Sequence, residues 1–421
     1  MDYFEYESEM TGCNEYWASY EQLTAAPYEE LTCLQREAEE YVAYGEHDEG
    51  TLHCAPIPSQ RVHHRLKPPV ADLGRPLRIV CLGPSFQLGG VGQQTLSLAR
   101  YFDPKRAQIT RCLVTRGDAE GHRRLVQLGI PVERATRIRL ERAAEEADVF
   151  LLWGDHFDRA LPHRRPVCVF VAHGESAWTR QGLERSRAVV DHVIAVSERV
   201  RERVCKGFEA TTILNGIDTS RLAATRPRQA VRRSLGIRAD EFVLGCVGRM
   251  TREKQMERLI DAVALLPRSF KLLLVGNGTR RIELLERAND LLPGRFVMVS
   301  CDDHLGDLYR AMDAFALPSA HEGFGLVVAE AMACRRPVIA TCVGAVPEII
   351  EANVSGLIVD SSPRAFADAA LRVFHSPHWA AGMARQASAF ALRHLNARRM
   401  ASDYEALLTR LVVARTRTRK S

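Results

Sequence analysis

At 421 residues the chain is long enough for two hydrophobic cores plus an extension, and its 46% hydrophobic and 26% charged content is that of a globular protein. No apolar run approaches the ~18 residues that cross a bilayer, the acidic, tyrosine-rich start is no secretory leader, and eleven cysteines without a C-x-x-C pair supply no zinc set. The net charge of +5 is uneven: Asp and Glu crowd residues 1–50, where only Arg36 is basic, so the remainder is strongly basic. A basic body suits a polyanion such as a nucleotide diphosphate, or an anionic membrane surface. Nucleic acid fits the charge alone, without a helix-turn-helix, zinc or RNA-binding signature.

Residues 1–75 form an acidic N-terminal extension holding seven of the ten tyrosines. The run from Tyr28 to Tyr44 reads as a helix with a Glu-rich first turn, followed by a Pro-containing linker from Pro56 to Pro76. The whole reads as a short helical or partly disordered appendage. From Arg75 onward, short apolar runs alternate with amphipathic stretches. Strands are predicted at 77–83, 107–115, 148–154, 167–174 and 191–197, and a second series at 242–248, 271–278, 295–300, 314–319, 337–342 and 356–360. Strands apolar on both faces and alternating with helices predict parallel sheets covered on both sides. Two series predict two Rossmann-like α/β domains, 76–222 and 223–395, hinged near 213–222 and facing each other across a cleft. A closing amphipathic helix, about 396–413, and a basic tail complete 396–421. The tail, from Arg415 to Lys420, reads as frayed and solvated, with a weak membrane or polyanion contact as the second reading. Cys81, Cys168, Cys246 and Cys301 sit in strand-like runs and read as small buried residues of a reducing compartment.

In such sheets ligands bind beyond the carboxyl ends of the strands, and the chemistry-bearing residues cluster there. After the first strand, Gly89, Gly90 and Gly92 open the helix QQTLSLARYF, where glycine lets backbone amides approach a phosphate. A dinucleotide fingerprint is the rival, but G-x-G-x-x-G spacing is not met and no acidic residue closes a second strand. His173 ends the strand VCVFVAHG, as a structural hydrogen-bonding residue or as a donor to a sugar hydroxyl or phosphate oxygen. Gly248 and Arg249 end FVLGCVG, and Lys254 follows. Two cations at a strand–helix junction suit a diphosphate leaving group, each charged hydrogen bond contributing roughly 1.5–3 kcal/mol. A solvated, Arg-rich helix start is the alternative. Finally, Glu322 and Glu330 flank Gly323-Phe324-Gly325 in ALPSAHEGFGLVVAEAMA. A helix starting near Phe324, at ~3.6 residues per turn, carries Glu330 on its second turn and leaves Glu322 in the loop. The amides between them suit a phosphate.

With these motifs in order the sequence resembles the retaining GT-B glycosyltransferases of family 4 (glycosyl transferases group 1), over roughly 77–413. The matching segments are Gly89-Gly90, His173, AVSERVRERV, ILNGID, VGRM…EK, LLLVGNG, PSAHEGFGLVVAEAMA, PVIATCVGAVPEII and SGLIVD. The resemblance implies that Glu322 binds donor-sugar hydroxyls and Glu330 the ribose, with the Phe324-Gly325-Leu326 amides, Arg249 and Lys254 on the diphosphate. Gly90 would face the β-phosphate, His173 the sugar, and Gly89, Gly248 and Asn277 would line the donor site. It further implies a hexosyltransferase (EC 2.4) acting on a nucleoside-diphosphate sugar, with no cofactor, no metal and a front-face mechanism. The acceptor, a glycan, lipid-linked or small molecule, has no readable code in the loops 84–92, 116–121 and 154–164. Expected partners exclude nucleic acid. The expected location is the cytoplasm, with peripheral contact at the inner membrane face as an option drawn from positive charge. A nucleotide-sugar epimerase of the same fold and a non-catalytic nucleotide-sugar-binding protein remain the alternatives. Three departures stand out: Gln255, Arg335 and Ala345 occupy positions where the family usually has glycine, and a non-glycine at Arg335 is expected to strain its turn.

Overall fold

The structure, a computed structural model, describes residues 73–86, 89–115, 123–153, 165–300 and 304–418. The predicted 28–44 helix, nearly all of the linker, and the loops 116–121 and 154–164 lie outside the described residues.

The first series of apolar runs forms strands β1 (Leu77–Gly83), β2 (Ala107–Val114), β3 (Val132–Arg134), β4 (Val149–Trp153), β5 (Val167–Ala172), β6 (His192–Ala195) and β7 (Ala210–Thr212). Its helices are α1 (Gly90–Tyr101), α2 (Arg123–Gln127), α3 (Arg137–Glu146), α4 (Ala177–Arg185) and α5 (Glu198–Val204). Every residue of β4 and β5 is buried, as a strand covered on both faces requires. Thr136, Ser176 and Ser197 start α3, α4 and α5 by accepting a hydrogen bond from a first-turn amide. The second series forms β8 (Phe242–Val247), β9 (Phe270–Val275), β10 (Phe296–Val299), β11 (Ala314–Leu317), β12 (Val338–Thr341) and β13 (Leu357–Val359). Around it lie α6 (Arg228–Ser234), α7 (Glu257–Ala264), α8 (Arg281–Leu291), α9 (Leu305–Ala311), α10 (Leu326–Ala333), α11 (Val346–Ile349), α12 (Pro363–His375) and α13 (Pro377–His394). The last helix, α14 (Ala397–Thr418), packs back on α1 and β5 of the first half.

All strand pairs are parallel, in the orders β3-β2-β1-β4-β5-β6-β7 and β10-β9-β8-β11-β12-β13. These are two Rossmann-like sheets. Each reverses its strand order once, between β1 and β4 and between β8 and β11, and a crevice opens at such a point beyond the strand ends. The chain crosses between the halves twice, and the crossings are stitched together. Ile217 N donates to Leu395 O at 2.7 Å, and Ala397 N donates to Ile217 O at 2.9 Å.

Some elements differ from expectation. The edge strands β3 and β7 were not anticipated: three residues each and almost wholly half-buried, they carry no two-faced apolar signal. Helix α1 begins at Gly90, ahead of the expected QQTLSLARYF. The basic tail is not frayed at its start, because α14 continues to Thr418 and Arg415 reaches Asp191 Oδ2 at 2.6 Å and Pro166 O at 3.2 Å. Cys81, Cys168 and Cys246 are buried thiols as expected, and Cys301 lies outside the described residues; Cys342, after β12, is disulfide-bonded. Gln255 (φ 46°) and Arg335 (φ 55°) both hold the left-handed conformation that glycine favours, whereas Ala345 is right-handed at φ −79°.

Candidate active site

The second sheet's reversal point lies between the strand ends that carry the candidate charges. After β8, Gly248 and Arg249 lead to a 3₁₀ turn, Arg252–Lys254, closed by left-handed Gln255. After β11, the chain runs through Pro318 to Gly325 before α10. A backbone bond from Ala320 N to Glu253 O (2.9 Å) joins the two loops. Across them Lys254 Nζ donates to Glu322 Oε1 at 2.6 Å, and Ser319 Oγ donates to the same oxygen at 2.9 Å. Their side chains are only 16% and 9% exposed, so each charge depends on the other for the solvation that water no longer provides. Thr341 Oγ1, at the end of β12, lies 2.7 Å from Ser319 O and anchors the loop from below.

Helix α10 starts at Leu326, two residues later than predicted, because Gly325 takes the left-handed conformation (φ 82°, ψ 55°) as its N-cap. No side chain caps this end. Glu330 therefore does sit on the second turn, buried, and Tyr309 Oη donates to its Oε2 at 2.9 Å. Burial pushes the Glu330 carboxyl above its ordinary range, while the Tyr309 hydrogen bond and the positive charge of Arg221 pull it back.

The first half supplies the opposing wall. His173 follows β5 and stacks on Trp153, with ring centroids 4.7 Å apart at 18°. Its Nε2 is buried without a hydrogen-bond partner among the described residues, and burial pushes its pKa down to about 3, so the imidazole is neutral at ordinary pH. The His173 backbone meets the acidic loop directly: a Cβ on Gly323 would lie 1.5 Å from His173 O. From the other side, a Cβ on Gly344 would lie 2.7 Å from Glu322 O, so the loop bearing Glu322 is held between two backbones that only glycine admits.

The predicted residues thus divide. Lys254, Glu322 and the His173 backbone converge, and Glu330 lies one helix turn and a half beyond. Arg249 does not join them: its half-exposed guanidinium lies 3.4 Å from Glu253 Oε1. Phe324 is buried beneath the loop. Asn277 is exposed, its Oδ1 accepting from Gly278 N at 2.9 Å. Gly89 and Gly90 are exposed at the start of α1, and a Cβ on Gly90 would meet nothing within 4 Å. Sequence reasoning did not single out Ser319, Thr341, Trp153 or Tyr309. Ser319 had a legible signal, a hydroxyl three residues before Glu322; the other three become partners only through packing.

The family model for glycosyl transferases group 1 matches residues 241–376, the second sheet and its helices from α7 through α12. The lipopolysaccharide core biosynthesis mannosyltransferase LpsB of Rhizobium meliloti is 34% identical over 250 residues, covering 55% of this chain and 69% of the relative. The putative teichuronic acid biosynthesis glycosyltransferase TuaC of Bacillus subtilis is 32% identical over 221 residues, 52% of this chain and 55% of the relative. Among solved structures, Anabaena Alr3699/HepE in complex with UDP superposes with a TM-score of 0.69, at 23% identity, over 79% of this chain and 100% of that one. That likeness gives the two halves the GT-B architecture. With a relative this similar over two thirds of its length, and the family model lying on the sheet that carries Lys254, Glu322 and Glu330, the chain belongs to the group 1 glycosyltransferases.

Proposed function

We propose that this glycosyltransferase moves a hexose from a nucleoside-diphosphate sugar to an acceptor with retention of configuration, in the cleft between its two sheets. The observation that carries the reading is the Lys254–Glu322 pair at the reversal point of the second sheet, beside the uncapped start of α10. The Rhizobium and Bacillus relatives are named for lipopolysaccharide core and teichuronic acid biosynthesis, which favours a glycan or lipid-linked acceptor here. The Anabaena structure is a UDP complex, which makes UDP the first donor nucleotide to try.

In this reading Glu330 accepts hydrogen bonds from the ribose hydroxyls, and Tyr309 holds it in place. The Phe324-Gly325-Leu326 amides and Lys254 surround the diphosphate. Arg249 joins them by leaving Glu253, a cost of about 1 kcal/mol for a pair 3.4 Å apart whose guanidinium is 58% exposed. Gly248 and Asn277 line the nucleotide side, and Gly89 and Gly90 bring α1 amides toward the β-phosphate. Glu322 accepts from sugar hydroxyls, and His173, held neutral, donates to one. As the bond from the anomeric carbon to the diphosphate oxygen breaks, the electron pair stays on the diphosphate, where the cations and amides stabilise it. The acceptor oxygen bonds the same face of the sugar and passes its proton to the departing phosphate oxygen. In this reading no metal is assigned a role: Lys254, the α10 amides and a repositioned Arg249 are given the developing charge.

The test is a thermal-shift panel of UDP, GDP, ADP and TDP followed by the matching sugars, then product analysis by mass spectrometry with candidate acceptors. One nucleotide should raise the melting temperature, and its sugar should be transferred at a rate unchanged by EDTA. An isomerised donor sugar with no transfer would replace this reading by epimerisation. Binding without any product would replace it by a non-catalytic role.

A further inference from the structure

Glu348, in the four-residue helix α11, belongs to the second half, yet its buried carboxylate is spent on the first half. Its Oε2 accepts from Glu198 N and its Oε1 from Arg199 N, both at 2.8 Å. These amides belong to the first turn of α5. The third amide of that turn, Val200 N, is taken by Ser197 Oγ at 3.1 Å. The start of α5 is therefore capped partly by its own domain and partly by the opposite one.

Both ends of this contact lead to the site. Toward the second half, Glu348 follows Gly344, whose backbone closes on the loop carrying Glu322. Toward the first half, Arg199 Nε reaches Glu175 Oε1 at 2.7 Å, and Arg203 reaches Glu175 Oε2 at 2.8 Å. The Arg199 and Glu175 side chains are largely buried, and Glu175 stands two residues after His173. One carboxylate thus fixes the start of α5, and α5 fixes the loop bearing His173 against the loop bearing Glu322.

We propose that Glu348 is a positioning residue for transfer, whose grip on α5 across the domain boundary sets the His173 loop in register with the Glu322 loop and so assembles the two halves of the site. This rests on the reading of those loops as the donor site and adds what holds them together. The carboxylate is the right group because it accepts at both oxygens. A glutamine would present its NH₂ to one of the two amides, and an alanine would leave both unmet.

The test uses Glu348→Gln and Glu348→Ala in the full chain, with folding checked by circular dichroism. Isothermal calorimetry with UDP, small-angle scattering and steady-state kinetics with the donor found above supply the readouts. Losing one charge-assisted hydrogen bond should lower kcat by about tenfold or more, while KM for the donor and the UDP affinity stay within about threefold. The radius of gyration should rise in both variants, and Glu348→Asp should recover less than Glu348→Gln because it is one methylene too short. A lowered melting temperature with unchanged kcat would make Glu348 a stabilising cap only and overturn the proposal. If the wild type binds no nucleotide, the donor-site reading fails; the scattering comparison still decides on Glu348, and unchanged dimensions in Glu348→Ala reject its clamping role.

Discussion

Replacing Lys254 by Met keeps the length of the side chain and removes its charge. The structure then sets two separate magnitudes. Glu322 would keep Ser319 but lose its one ion-pair partner among the described residues, at 2.6 Å, while staying about nine-tenths buried. Breaking such a pair from one side costs roughly 3–5 kcal/mol in a full interior, and less here because the Lys254 side chain retains some exposure; about 2–3 kcal/mol is expected. That loss belongs to the fold and is read as a lower denaturant midpoint. Adding Glu322→Gln removes the stranded charge and should restore most of it, because the remaining amide can accept from Ser319. The catalytic loss should not be restored. If Lys254 stabilises the departing diphosphate, Lys254→Met lowers kcat by about 10²–10³-fold, and the double variant lies as low or lower. The assay is a double-mutant cycle run twice, once on unfolding free energy and once on kcat. A Lys254→Met enzyme that turns over at the wild-type rate would refute the assignment, whatever its stability.

Three further expectations follow from particular residues. Glu330→Gln should weaken UDP binding by roughly 10–100-fold, since it removes the charge from an acceptor of ribose hydroxyls. Wild-type affinity should fall as pH drops through the raised Glu330 pKa, and a calorimetric titration that is flat with pH, or equal in both proteins, contradicts the ribose role. His173 has a folded pKa of about 3, below the ordinary 6.5, so its burial contributes stability that is present above pH 6.5 and is lost as pH falls toward 3. Denaturation of wild type and His173→Asn between pH 4 and pH 7 should show the smaller pH slope in the variant; parallel slopes would show that the imidazole is not buried neutral. Arg335 stands left-handed just past α10, where Arg336 N donates to Ala331 O and Arg335 N to Met332 O, the hydrogen bonds of a Schellman cap. Arg335→Gly should therefore stabilise by about 0.5–1 kcal/mol after the entropy of glycine is subtracted, while Ala345→Gly, at a right-handed position, should destabilise by a few tenths. Equal signs for the two would show that backbone handedness is not what separates them.

What could be read without coordinates was whatever depends on neighbours in sequence. Runs such as LRIVCLG and VCVFVAHG are apolar at nearly every position, as a strand covered on both faces requires, and eleven of the thirteen strands among the described residues announced themselves by such apolar runs. The order of glycines, cations and acids at strand ends located the candidate site for the same reason: parallel sheets deliver their loops to one edge. Strands β3 and β7 lacked that pattern and stayed hidden, and the start of α10 was misplaced because the handedness of Gly325 is not written in its neighbours.

Partnership across the fold was decided elsewhere. Nothing in the spacing of Lys254 and Glu322 says that they meet at 2.6 Å, that Arg249 turns away to Glu253, or that Tyr309 reaches Glu330. Nor could PVIATCVGAVPEII show that its glutamate caps a helix 150 positions earlier, in the other half of the molecule. Sequence by itself determined which segments become strands and helices, because those choices are set by local pattern and side-chain type. Only the tertiary structure decided which charges are desolvated together and which backbones touch, because these depend on how two separately built sheets are brought face to face.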